Sequence, residues 1–62
     1  MTRVALEEWA RKIWSEAFAV DPDYTIEVSR AVTGDEVFAW SALSCRQLEA
    51  MSRGLFATAR LS

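Results

Sequence analysis

One cysteine and no histidine in 62 residues deny this chain the two staples on which very small domains usually rely. Cys45 alone can form no internal disulfide, and a zinc site lacking histidine and a second thiol would rest on carboxylates. A chain of this length buries only about 60% of the surface it exposes when unfolded. Its stability must therefore come from dense side-chain packing or from association. A hydrophobic fraction of 52%, with three tryptophans, three phenylalanines and one tyrosine, suits both. One compact domain is expected over residues 1–62.

The first segment reads as a helix over about residues 3–19. Thr2 can cap it, and Leu6, Trp9, Ala10, Ile13 and Ala17 recur at helical spacing on one face. Glu8, Lys12 and Glu16 line the opposite side, with Glu8–Lys12 in the favourable i, i+4 order. Trp14 and Phe18 fall on a flank beside Glu7 and Arg11, which makes the apolar arc wider than the roughly 100° stripe of a surface helix. Trp9 is expected in the core, and Trp14 with Phe18 at its edge, either uncovered or packed under the hairpin or the carboxy-terminal residues. Asp21-Pro22-Asp23 ends the helix, because a proline disfavours helical geometry in the residue before it.

The middle admits two readings. Thr25-Ile26-Glu27-Val28-Ser29-Arg30-Ala31-Val32 is rich in β-branched residues, Thr33-Gly34-Asp35-Glu36 is a turn signal, and Val37-Phe38-Ala39-Trp40 has strand propensity. This predicts a hairpin over about residues 24–42. A one-residue slip flips every side chain, so an odd-length loop would place Ile26, Val28, Val32, Phe38 and Trp40 on one face. The other reading is helical. Asp21 would be the N-cap, Pro22 the first helical residue, Tyr24, Val28, Ala31 and Val32 one face, and Gly34 the terminator.

The third segment predicts a helix over about residues 45–60. Ser44 and Gln47 form a capping box, and Leu43 can staple onto Leu48. Cys45, Leu48, Met51, Ser52, Leu55 and Ala59 share a face, with Phe56 on its flank. The apolar spacing persists past Gly54, which predicts a helix continuous through it at a propensity cost of about 1 kcal/mol; the alternative is that Gly54 ends the helix and leaves Leu55 to Leu61 extended.

The expected fold is α+β, a helix–β-hairpin–helix domain with both helices on the Ile26/Val28/Phe38/Trp40 face. The alternative is an all-α three-helix bundle. Val37-Phe38-Ala39-Trp40 leading into Ser44 and Leu48 resembles the head-to-tail joining proteins of lambda-type phages, over about a third of the chain and without that family's basic tail. The resemblance implies a strand feeding a capped helix and a structural role in a virion.

Chemistry finds little to work with. Asp21/Asp23 and Asp35/Glu36 are close carboxylate pairs, but both sit at turn signals, where aspartate caps and bends the chain. No calcium-loop pattern follows them. Cys45 lacks a histidine partner and falls on the expected core face, as a small buried hydrophobe. Gly34 and Gly54 are isolated, so no phosphate loop exists. No catalytic residue, metal ligand or cofactor site is expected, and the chain does not read as an enzyme.

Binding is the better-supported class. Trp14 and Phe18 exceed what the core needs, and interfaces are enriched in Trp and Arg. Arg46, Arg53 and Arg60 recur every seven residues along one side of the last helix, whereas residues 21–44 carry five acids and one base. Trp14, Phe18, Arg46, Arg53 and Arg60 are the candidate partner-binding set. The expected function is a small protein-binding module, of the type of a phage or mobile-element inhibitor that occupies the surface of a larger host complex. A protein partner or a homodimer through the Trp14/Phe18 flank is expected. The alternatives are a nucleic-acid-binding regulator using the arginine row and a virion joining protein. A net charge of −2 argues against a general nucleic-acid binder. No signal peptide is evident and no apolar run approaches the ~20 residues of a membrane span. A reduced lone cysteine fits a cytoplasmic setting.

Overall fold

The computed structural model describes residues 2–60 and contains three α-helices: α1 (Arg3–Val20), α2 (Pro22–Thr33) and α3 (Cys45–Arg60), with a 3₁₀ turn at Trp40–Ala42 ahead of α3. None of the described residues is in a strand. The hairpin over residues 24–42, and the α+β class with it, is therefore overturned: the fold is the all-helical alternative. The strand-into-helix pattern behind the likeness to joining proteins is absent too.

The reason lies at the ends of α2. Asp21 serves two helices at once. Its backbone N–H donates to the Ala17 carbonyl at 2.8 Å, closing α1, and its Oδ1 accepts from the Tyr24 N–H at 3.0 Å, opening α2. Pro22 follows at the first helical position, where its fixed φ helps and its missing N–H is not missed. At the far end Gly34 takes φ +77° and donates its N–H to the Arg30 carbonyl at 2.7 Å, a left-handed cap that suits glycine. A cap on each side outweighs β propensity, whose whole scale spans only about 1 kcal/mol and depends on context.

The fully buried residues of α2 carry hydroxyls. Thr25, Ser29 and Thr33 each donate to the carbonyl four residues back, at 2.7, 2.9 and 2.9 Å. A hydroxyl satisfied within its own helix can be buried without an orphaned donor, and Thr25 and Ser29 are completely inaccessible. The alternation that suggested a strand is split: Ile26 points outward, while Val28 turns to α3.

α3 and α1 share the most extensive contact, and α2 packs against both. The core consists of Leu6, Ala10, Ile13 and Ala17 from α1, Leu43, and Leu48, Met51 and Leu55 from α3. The Ser44–Gln47 capping box is formed: the Gln47 N–H donates to Ser44 Oγ at 3.2 Å, and the Ser44 N–H to Gln47 Oε1 at 2.9 Å. α3 runs unbroken through Gly54, where α2 comes so near that a Cβ would stand 2.9 Å from Val28 Cγ1. The Arg3 guanidinium donates to the carbonyls of Trp40, Ser41 and Leu43, so α3 begins beside the beginning of α1. The accessible surface of 4180 Å² is close to the roughly 4,000 Å² expected of a folded monomer of this mass. The single chain thus closes its own core.

Candidate interaction surface

Trp14 is the hub of this surface. Its indole N–H donates to Ser29 Oγ at 2.7 Å, tying α1 to α2. Its ring stacks on Phe18 with centroids 4.8 Å apart and planes 11° from parallel. The edge of Phe38 meets it at 6.2 Å, and Phe38 in turn meets Trp40 edge-on at 5.8 Å. Arg11 closes the series, 5.6 Å from the Trp40 centroid and paired with Glu7 at 2.9 Å. Four rings and a guanidinium thus form a ribbon across α1 and the segment leading to α3. Stacked and edge-on pairs each contribute about 0.5–1.5 kcal/mol beyond area burial.

This decides one open placement among the tryptophans and reverses another. Trp14, on the edge of the α1 face, is half-buried and hydrogen-bonded; Phe18, outside it, is the exposed member of the pair. Trp9 was expected in the core but is 41% exposed. Cys45 also departs from expectation: it lies at the exposed start of α3, not on the buried face.

The connection between α2 and α3 carries a feature that the hairpin reading concealed. Val37 is 88% exposed, the most exposed large apolar side chain described. Its neighbour Phe38 turns into the aromatic ribbon, so Val37 is left pointing out. The loop is secured on both sides. Upstream, the Gly34 cap is joined by the Asp35 N–H, which donates to Thr33 Oγ1 at 3.3 Å. Downstream, Phe38 and Trp40 are gripped by rings and Arg3 holds the 3₁₀ carbonyls. Asp35 and Glu36 precede Val37 and are exposed. The only signal in the sequence was an apolar residue directly after two turn acids, which a strand assignment absorbs.

Arg46, Arg53 and Arg60 all lie exposed on the outer side of α3, opposite Leu48, Met51 and Leu55. Glu49 interrupts the row: it pairs with Arg53 at 3.7 Å. Arg60 lies over the Phe56 ring, 4.6 Å from its centroid. The five candidate residues therefore form two groups, the Trp14–Phe18 stack between α1 and α2 and the arginine row on the far side of α3. Among the described residues no cluster of acids and cysteine could hold a metal ion, and no helix is long and apolar enough to cross a membrane.

Compared with protein families, curated proteins and solved structures, the chain matches none of them.

Proposed function

We propose that this protein is a small non-enzymatic binding module that acts by occupying the surface of a larger protein, the mode of action of a phage- or mobile-element-type inhibitor. The observation that carries this reading is Val37: a branched apolar side chain 88% exposed on a loop fixed at both ends. Fixing a contact residue before binding lowers the ordering cost of association, so a pre-set apolar knob is worth more than a floppy one. Phe18, the exposed member of the ribbon that Phe38 joins, offers a second apolar contact. The acids Asp35 and Glu36 beside the knob favour a partner pocket that is apolar inside and basic at its rim.

The test is a photo-crosslinking residue placed at position 37, at Phe18, or at Glu8 as an outer-face control, in the native host. The expected result is one defined adduct from position 37, competed away by the unmodified protein. Val37→Asp should weaken binding to the protein so identified by at least about tenfold, or about 1.4 kcal/mol. The same change should leave folding stability within about 0.5 kcal/mol, as exposed substitutions do. Adducts from positions 37 and 18 no different from those at Glu8 would refute the reading.

A further inference from the structure

The outer faces of α2 and α3 carry matching patterns that neither the core nor the aromatic ribbon uses. On α3, Arg46, Ala50, Arg53, Ala57 and Arg60 are all exposed and follow the alternating four- and three-residue spacing of a helix-packing seam. The alanines let another backbone approach, and the arginines alternate with them along the seam. On α2, Asp23, Glu27 and Arg30 follow the same spacing and, with Ile26, line a shallow depression. Their charges are complementary when the helices run in opposite directions. Along α3 the order is Arg46 positive, Glu49 (beside the seam) negative, Arg53 positive, Arg60 positive; along α2 in reverse it is Thr33 uncharged, Arg30 positive, Glu27 negative, then Asp23 and Asp21 negative.

Helical rise converts the order into distance. From Glu49, Arg53 lies about 6 Å and Arg60 about 16.5 Å along α3; from Arg30, Glu27 lies about 4.5 Å and Asp21 about 13.5 Å along α2. The sets agree to about 3 Å or better for Arg53 with Glu27 and Arg60 with Asp21, and to about 6 Å for Arg60 with Asp23, which lies about 10.5 Å from Arg30. Glu49 and Arg53 are free to change partners, because their own contact is long at 3.7 Å and their side chains are 53% and 80% exposed.

We propose that the outer face of α3 docks antiparallel in the α2 depression of a second copy of this chain, with Glu49 against Arg30, Arg53 against Glu27 and Arg60 over Asp21 and Asp23. The contact is head-to-tail, so a pair keeps one unused α3 face on one copy and one unused α2 depression on the other, and assembly proceeds to rings or short chains. Exposed ion pairs are individually weak, so association depends on high protein concentration and low salt. It uses neither Val37 nor Phe18 and stands apart from the binding surface proposed above.

Sedimentation velocity on the purified protein tests this. At about 1 mM protein and about 0.01 M salt the weight-average mass should rise clearly above the 7.0 kDa of one chain, and it should return to that value at about 1 M salt, where charges are screened within about 3 Å. Arg53→Glu and Glu27→Arg should each weaken self-association at least about tenfold, because each replaces an attraction by like-charge repulsion. Circular dichroism should show both variants folded, since both positions are exposed. Mixing the two variants should restore assembly, because Glu at 53 then meets Arg at 27. A wild-type protein that stays monomeric at low salt, variants that associate like wild type, or a mixture that does not recover would each overturn the proposal.

Discussion

α2 and α3 are held against the rest of the molecule by different physics. The inward face of α3 presents Leu48, Met51 and Leu55, all completely buried. The inward face of α2 presents Thr25 and Ser29, equally buried, with Val28 and Val32 only half-covered. α3 is therefore docked by apolar area, at about 25 cal/mol per Å² removed from water. α2 is docked by close approach: small hydroxyl side chains satisfied within the helix, a glycine facing Val28, and one hydrogen bond from Trp14. A helix without a large buried residue can still be fixed in place when its neighbour comes near enough and its caps define both ends.

The contrast can be broken first where it is strongest. Leu55→Ala should lower stability by about 3 kcal/mol, measured by urea unfolding, because a completely buried leucine leaves a cavity as well as lost transfer energy. At about 0.05–0.15 kcal/mol per residue the whole domain has only about 3–9 kcal/mol, so much of the population should unfold. A loss under about 1 kcal/mol would mean that α3 is not the hydrophobic anchor. Gly54→Ala should have a smaller effect, of the opposite sign to helix propensity. Alanine gains about 1 kcal/mol in a helix interior, but its Cβ would stand 2.9 Å from Val28 Cγ1, and a β-branched side chain has little freedom to turn away. The expected net loss is about 1 kcal/mol, and Val28→Ala in the same chain should recover part of it. Stabilisation by Gly54→Ala alone would show that α2 and α3 do not approach so closely.

The same contrast explains what could be read from the residues. α1 and α3 announce themselves through apolar spacing, and the Thr2 cap and the Ser44–Gln47 box mark their starts. α2 does not, because a search for apolar periodicity passes over Thr25 and Ser29, its fully buried residues. Its caps, Asp21-Pro22 and Gly34, were visible and carried more information than the β-branched content between them. The expectation for Trp9 failed for a geometric reason. Trp9 and Trp14 lie about 70° to either side of the line through Leu6, Ala10, Ile13 and Ala17 on a helix turning 100° per residue. Nothing in α1 itself says which flank will be covered. The return of α2 along the Trp14 side decides it, leaving Trp9 outside. Cys45 sits on a flank of α3 in the same way. Of the candidate binding residues, the Trp14–Phe18 pair and the outward arginine row were legible from spacing. Val37 was not, because its exposure depends on Phe38 turning into a ribbon that only the folded chain assembles.

The docking of α2 through Trp14 can be followed directly, since the three tryptophans give three indole N–H signals in a ¹H–¹⁵N spectrum. The Trp14 signal should exchange with solvent most slowly, because its N–H is bonded to Ser29 at 2.7 Å in a half-buried setting. Trp9, 41% exposed, should exchange fastest, and Ser29→Ala should accelerate Trp14 selectively. A Trp14 indole exchanging as fast as that of Trp9, and indifferent to Ser29→Ala, would contradict the placement of α2 on which this account rests.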